Sequence, residues 1–261
     1  MATRVFTGRS ALITGAASGI GLATAQWLAA QGAAELWLVD RDEPGLAAID
    51  LPGRVHRIAG DVAAPSLWSD LAPRLPRLDH ALLNAGIADG CPLVQQDWEG
   101  WKRTLAVNLD GVFLGLQCVL RAMLGAGDQP GPPAGRSLVL TSSVAGVKPL
   151  ANTAAYGSSK AAIAHLARIA AAEHARDGIR VNAIAPGRVD TPIWTRTSHF
   201  RALESSLGSR EAALQSLVDE ASPLGHVATA AEIAAQIGFL LSDAAANVTG
   251  IVFTSDGGYA L

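Results

Sequence analysis

A single doubly wound α/β domain, with a parallel sheet of about seven strands and helices on both faces, is the fold class that this sequence predicts. Three observations predict it. Short apolar runs alternate with amphipathic stretches along the chain, as strands joined by helical crossovers must. The first apolar run opens directly into a glycine-rich turn and then a helix. Finally, 261 residues without an internal repeat or a linker suit one large α/β domain, here spanning residues 1–261.

The elements follow in order. Ser10–Thr14 reads as a strand, Ile20–Gln31 as a helix, and Glu35–Asp40 as a second strand bounded by Gly32. Arg54–Ile58, His80–Leu83, Ser137–Thr141, Ile179–Ile184 and Ile251–Thr254 complete the strands. Trp98–Leu124 and Ala155–Arg176 are helices apolar on more than one face. One side of each can cover the sheet, and the other needs a second partner, for which another subunit is the natural choice. Gly125–Arg136 is rich in Gly and Pro and reads as a surface loop on the edge away from any ligand. Asp190–Ser222 lacks strand character and follows a strand directly, which places it on the ligand edge as a candidate lid within the domain.

Composition excludes several partners. The net charge is −3 and no Lys/Arg run occurs, so nucleic acid and anionic membranes find no electrostatic footprint. No signal-peptide pattern and no apolar run of membrane-span length are read here. Cys91 and Cys118 lie in different segments, and the six His are scattered. Reduced thiols in a cytoplasmic protein are the expectation, with no metal site.

The turn Thr14-Gly15-Ala16-Ala17-Ser18-Gly19-Ile20-Gly21 carries the first chemical signal. Its glycines allow a sharp turn and close approach of a ligand. The helix it opens offers unpaired N–H groups and a positive dipole end to a pyrophosphate. A plain strand-to-helix turn with packing glycines is the alternative. Asp40 ends the second strand, where a carboxylate accepts adenosine ribose hydroxyls and repels a 2′-phosphate. It could equally be a helix N-cap. Arg41 could favour a phosphate, but Ala16 and Ala17 supply no second base, so NAD is expected over NADP.

Tyr156-Gly157-Ser158-Ser159-Lys160 opens a helix, and Tyr156 and Lys160, four apart, share one face. A neighbouring ammonium favours the phenolate and lowers its pKa; a cation beside a packed ring is the other reading. Ser143 lies just past a strand, on the ligand edge, where its hydroxyl can donate to a substrate oxygen or simply shape a turn.

Taken together, Thr14–Gly21, Asn84-Ala85-Gly86, Asn108, Ser143, Tyr156, Lys160 and Pro186-Gly187 resemble the classical short-chain dehydrogenase/reductase family. The order holds as far as Asp256-Gly257-Gly258, essentially the whole chain. One departure is Leu83, where the family often has a second Asn before Asn84. The resemblance implies roles. Tyr156 is the general acid/base, and Lys160 binds nicotinamide ribose and depresses the Tyr156 pKa. Ser143 orients the substrate oxygen. Asn108 holds a water that relays protons to Lys160, unless it is only a polar core residue. Gly15, Ser18, Gly19, Ile20 and Gly21 cradle the pyrophosphate. Asp61-Val62 contacts adenine, and Asn84-Ala85-Gly86 borders the adenosine ribose. Val189 and Thr191, after Pro186-Gly187, hold the carboxamide. A homotetramer or homodimer on the two apolar helices is implied as well.

The expected activity is NAD-dependent hydride transfer with a secondary alcohol or ketone. Val94, Val147, Leu150, Trp194 and Phe200 are candidate pocket walls and suggest an apolar, cyclic or aromatic substrate. Arg188, Arg196 and His199 could instead meet an acidic or hydroxylated group. A non-catalytic NAD-binding regulator is the rival; an intact Ser143, Tyr156, Lys160 and Asn108 set argues against it. An epimerase or dehydratase on a related fold is disfavoured by the short chain after Pro186.

Overall fold

The apolar runs pair side by side as their alternation with helices requires. The computed structural model describes residues 4–75, 78–88, 90–125 and 135–261. Among these, the strands are β1 (Ser10–Thr14), β2 (Glu35–Asp40), β3 (Arg54–Ala59), β4 (His80–Leu83), β5 (Arg136–Thr141), β6 (Ile179–Pro186), β7 (Val189–Asp190), β8 (Ala228–Thr229) and β9 (Val252–Ser255). Seven of them form one parallel sheet in the order β3-β2-β1-β4-β5-β6-β9, as expected; β7 and β8 make a separate short pair. The chain builds outward in one direction from β1 and in the other from β4. These two strands are neighbours, and their adjacent carboxyl ends open the crevice in which such sheets bind ligands.

The helices are α1 (Gly19–Ala30), α2 (Glu43–Ala47), α3 (Pro65–Leu71), α4 (Trp98–Leu105), α5 (Gly111–Gly125), α6 (Ala154–His174), α7 (Ser198–Leu207), α8 (Arg210–Ala221) and α9 (Ala230–Leu241). One face of the sheet is covered through Trp68, Val112, Leu116, Val119, Ile163 and Ala167 of α3, α5 and α6. The other is covered through Ala25, Leu28, Ile233 and Ile237 of α1 and α9. Gly238 makes that second layer close: a Cβ there would fall 2.3 Å from the ring of Trp27.

Three expectations change. The stretch read as one helix from Trp98 is α4 and α5 joined by a π-helical turn, Ala106–Asp110, so an extra residue is accommodated within the helix. Together Trp98–Gly125 is 28 residues long, with a mean hydropathy of 1.4 in its most apolar window, so it is long and apolar enough to cross a membrane by length and composition. The expectation that no run reaches that length is corrected: polar Asn108 and Asp110 interrupt the apolar run and lower its average, but the remaining residues keep the window apolar enough. Half of that window is buried within the protein. Asp190–Ser222, read as lacking strand character, opens with Asp190 in β7 and then holds α7 and α8 around a small core of Phe200, Ala213 and Leu217. Of the stretch Gly125–Arg136, residues 126–134 lie outside the described ones, and Arg136 already belongs to β5.

A polar layer closes the amino edge of the sheet. Asp79 accepts from the Ser10 N–H at 2.9 Å and from its hydroxyl at 3.1 Å. Arg180, on β6, donates to the carbonyls of Leu240, Leu241 and Ser242, the end of α9, at 2.7, 3.2 and 2.9 Å. A guanidinium there satisfies orphan carbonyls and complements the helix dipole. His80 lies against Phe6 edge-to-face, and its Nδ1 is 2.9 Å from Ser137 Oγ. Ser137 gives its own proton to the Leu241 carbonyl at 2.8 Å. The hydroxyl therefore accepts from His80, which fixes a neutral ring with the proton on Nδ1.

Burial pulls the His80 pKa down to about 3, against a smaller opposing pull from Asp79. The unfolded chain takes up a proton near 6.5 and the folded one does not until near 3. Stability from His80 is thus complete above pH 6.5 and is lost as pH falls toward 3. Urea unfolding across this window should show a decline on the order of 4 kcal/mol from this residue. In His80→Gln the decline should be shallower; an unchanged slope would refute the assignment.

Candidate active site

The carboxyl ends of β1 and β4 diverge under the control of one side chain. The Thr14 hydroxyl accepts from the N–H groups of Asn84 and Ala85, at 2.9 and 3.0 Å. Asn84 returns a bond to the Thr14 carbonyl at 3.3 Å and receives one from Thr141 at 3.2 Å. Three strand ends are thereby stitched together. Above them lies a cleft of about 630 Å³.

The glycine-rich turn forms one wall. Gly15 and Gly19 have φ of 68° and 55°, a region that favours glycine. A Cβ on Gly21 would fall 2.0 Å from the Gly15 carbonyl oxygen. Gly15, Ser18, Gly19 and Ile20 line the cleft, whereas Gly21 packs behind it and lets the turn fold on itself. Ser18 occupies the N-cap of α1 without a side-chain capping bond, and the first turn holds no acid. Those N–H groups and the dipole end therefore remain for an anionic ligand.

Asp40, Asp61 and Val62 line one end of the cleft, together with Arg41, Asp42 and Gly60. Asp40 accepts from the Ala17 and Asp42 N–H groups, both at 3.0 Å, so its carboxylate braces the phosphate turn as well as facing the cleft. Ala85, Gly86, Pro186, Gly187, Val189 and Thr191 line the middle.

At the other end Ser143, Tyr156 and Lys160 meet. The turn Val144–Gly146 is pressed onto α6: the Ser142 hydroxyl donates to the Lys160 carbonyl at 2.7 Å, and a Cβ on Gly146 would fall 2.6 Å from the Lys160 backbone. That contact carries Ser143 to the face where Tyr156 and Lys160 stand, and Ser143 hydrogen-bonds the Tyr156 phenol. Lys160 Nζ donates to the Thr141 carbonyl at 2.8 Å and stands 5.7 Å from the Tyr156 ring centroid. Asn108, buried in the π-helical turn, accepts from Ile87 N–H at 2.8 Å and donates to the Ile87 carbonyl at 2.9 Å and Ser159 Oγ at 3.2 Å. Its amide thus clamps the chain after β4. A Cβ on Gly86 would approach both Asn108 Oδ1 and Lys160 Nζ, at 3.2 and 3.3 Å, so glycine there lets these groups converge.

The electrostatics correct one expectation. Desolvation raises the Tyr156 pKa above the ordinary tyrosine value, against the opposing bond from Ser143. Lys160 does not pull it down: burial brings the ammonium itself to about 8, and one of its N–H groups donates to a backbone carbonyl. Proximity of the two residues on one helical face does not outweigh the loss of water around both.

The predicted pocket walls divide. Leu150 and Trp194 line the cleft. Val94 does not, being 95% exposed, and Val147 is half-exposed outside the lining. Phe200 is fully buried in the small core with Ala213 and Leu217 and is not part of the cleft lining. The side chains of Arg196 and His199 lie outside the described ones. The sequence reading missed Asn152, which lines the cleft with a φ of 65°, and Tyr259, delivered from beyond β9. No local pattern marks Tyr259. An Asn in an otherwise apolar stretch is a detectable, weak signal for a left-handed position.

The set fits a nicotinamide dinucleotide. The cleft runs from an acidic end across uncapped helix N–H groups to a buried lysine and a phenol, and a Cβ at Gly15 would meet Asn84 and Ala85 at about 3 Å.

Comparison with known proteins gives consistent results. A family model described as enoyl-(acyl carrier protein) reductase matches residues 15–260. Cis-4-hydroxycyclohexanecarboxylate dehydrogenase of Sinomonas cyclohexanicum is 37% identical, covering 97% of each chain. A 2,5-dichloro-2,5-cyclohexadiene-1,4-diol dehydrogenase of Sphingobium indicum is 33% identical, again over 97% of each. Among solved structures, L-sorbose reductase from Gluconobacter frateurii, complexed with NADPH and L-sorbose, superposes with a TM-score of 0.88 at 28% identity, covering 98% of both chains.

Proposed function

This chain belongs to the short-chain dehydrogenase/reductase family, and from that premise we propose that it passes hydride between a nicotinamide cofactor and a cyclic secondary alcohol or its ketone. The convergence of Ser143, Tyr156 and Lys160 at one end of a dinucleotide-shaped cleft carries the reading. Relatives named for a hydroxycyclohexanecarboxylate and a dichlorocyclohexadiene-diol support the ring. A binding-only regulator on this fold would leave the phenol in the cleft without a task.

The bound cofactor supplies or accepts the hydride. The protein's share is position and proton transfer. Ser143 hydrogen-bonds the reacting oxygen and holds it near Tyr156. Tyr156 takes the hydroxyl proton during alcohol oxidation and returns it during ketone reduction. Lys160 meets the nicotinamide ribose hydroxyls, and Thr141 keeps its ammonium in place. Val189 and Thr191 hold the carboxamide side, and Ser18 to Ile20 the pyrophosphate. Leu150 and Trp194 exclude water from the ring.

The cofactor is NAD in this reading. Asp40 sets a carboxylate at the adenosine end, and two backbone N–H groups prevent it from swinging aside. Arg41 lines the same end and would act oppositely. Asp190–Ser222 acts as the lid, since Trp194 and Thr197, ahead of α7, and Leu217 of α8 line the cleft. The subunits assemble as a dimer or tetramer through the outer faces of α5 and α6. There Phe113 and Ile169 are 46% and 42% exposed, whereas Ala170 is buried in its own subunit.

Tyr156→Phe should lower turnover of cyclohexanol by about 10²- to 10⁴-fold while NAD still binds by calorimetry. Near-normal turnover would remove Tyr156 from the mechanism. Because the phenol titrates above the ordinary tyrosine range, wild-type alcohol oxidation should climb with pH, and ketone reduction should keep its proton donor past pH 10. A fall in kcat for reduction centred below pH 9, measured at saturating cofactor so that loss of the Lys160 charge in the free enzyme does not enter, would contradict this. For the cofactor, kcat/KM should favour NAD over NADP, with the gap narrowing in Asp40→Ala; an NADP preference in the wild type would overturn the assignment. For assembly, Ile169→Glu should lower the sedimentation coefficient, and NAD should slow hydrogen exchange across Asp190–Ser222. A monomeric wild type would refute the first proposal, and unchanged exchange the second.

A further inference from the structure

The substrate end of the cleft holds a cation that the reaction above does not use. Arg188 follows β6 and lines the cleft. Its Nη1 is buried and, among the described residues, has no hydrogen-bond partner. Its guanidinium carbon stands 5.7 Å from the centroid of the Tyr259 ring. Lys148 addresses the same ring, with Nζ 4.8 Å from the centroid and a 2.8 Å bond to the Tyr259 carbonyl. Lys148 lies just beyond the Val144–Gly146 turn that follows Ser143, so this assembly adjoins the reacting end rather than the adenosine end.

Among the described residues no acid answers these two cations: neither Lys148 nor Arg188 forms an ion pair. The acids that line the cleft, Asp40, Asp42 and Asp61, gather at its other end. The nearby Asp256 is committed to the turn after β9, accepting from the Gly258 and Ala260 N–H groups at 3.0 and 2.8 Å. A buried guanidinium N–H without an acceptor carries a desolvation penalty that no hydrogen bond among the described residues offsets. The aromatic face of Tyr259 holds the guanidinium but accepts no hydrogen bond in its plane.

We propose that Arg188 is a specificity-determining residue that receives a carboxylate carried by the substrate ring, so that the preferred substrate is a cyclic hydroxy acid or keto acid. This rests on the reading of the protein as a cyclic-alcohol oxidoreductase and narrows its substrate class. Nη1 is closed to solvent in this conformation, so a carboxylate reaches it only when the guanidinium turns toward the cleft that Arg188 lines; there two acceptor oxygens in one plane match the planar donor fork of arginine. Tyr259 provides the stacking surface, and Lys148 holds Tyr259 in place and adds positive potential. With the carboxylate fixed at Arg188 and the ring hydroxyl at Ser143 and Tyr156, the ring is held at two points, which sets which face meets the hydride.

Two measurements test this, one of turnover and one of binding. The first is the ratio of kcat/KM for 4-hydroxycyclohexanecarboxylate to that for its carboxamide, in wild type, Arg188→Lys and Arg188→Met. The wild type should prefer the acid, and Arg188→Met should reduce the ratio roughly 10- to 100-fold. Arg188→Lys should fall between, because it keeps the charge and loses the fork. The second is calorimetric binding of cyclohexanecarboxylate, which cannot react. Its affinity should drop by a similar factor in Arg188→Met, while NAD affinity measured alongside does not follow it. An unchanged ratio with unchanged binding overturns the proposal, as does a parallel loss of NAD affinity, which would give Arg188 to the cofactor. If neither alcohol turns over but cyclohexanecarboxylate binds through Arg188, the reaction assignment falls and the anion subsite stands.

Discussion

The Thr14 hydroxyl receives two consecutive backbone N–H groups from the start of the segment after β4, and the geometry of the cleft depends on that contact. At the point where β1 and β4 separate, each strand leaves the sheet with donors and acceptors that no longer have a strand partner. Burying them unpaired would cost about 1–3 kcal/mol apiece. A threonine at the end of β1 and an asparagine at the end of β4 satisfy them locally. The same bonds decide how far the two strand ends stand apart, and so the width of the floor on which any ligand rests. Gly15 and Gly21 then let the turn above come down to backbone contact, which no side chain larger than hydrogen permits.

A second contact locks the reacting end to this floor. Ser142 and Gly146 press the turn after β5 onto the backbone of α6. Ser143 therefore cannot move relative to Tyr156 and Lys160 without separating a strand from a helix. Asn108 does the same for the segment after β4, by filling both hydrogen-bonding groups of Ile87. The proton-transfer groups are thus fixed by contacts to the surrounding main chain, and Ser143, Tyr156 and Lys160 meet in the cleft. The amino edge of the sheet is closed by different means, a buried arginine and a neutral histidine, and its chemistry is structural throughout.

Much of this was legible in the sequence because parallel strands buried on both faces are written as uninterrupted apolar runs. Their order in the chain leaves few topologies. The turn, Asp40, Ser143, Tyr156 and Lys160 were legible because each sits at a strand end or on one helical turn, so sequence spacing translates directly into space. The substrate walls were not. Val94, Val147 and Phe200 are as apolar as Leu150 and Trp194, yet the first two face outward and the third fills the small core under α8. Apolar character alone does not separate a wall from a core or a surface. Tyr259 was hidden for the opposite reason: it comes from beyond the last strand, and only the packing of that segment against Arg188 and Lys148 brings it in. The direction of the Tyr156 shift also required the structure, since it turns on how much water the fold removes.

Lys160 has one more consequence, for the heat of binding. Held near 8 by burial, its ammonium is partly deprotonated in mildly alkaline solution. Any ligand whose oxygen atoms accept from Nζ stabilises the charged form and moves that value upward. Association then draws a fraction of a proton from the buffer, and the observed enthalpy takes on the ionisation heat of whichever buffer supplies it. The depressed lysine couples occupancy of the cleft to the proton activity of the medium before any bond in a substrate is broken.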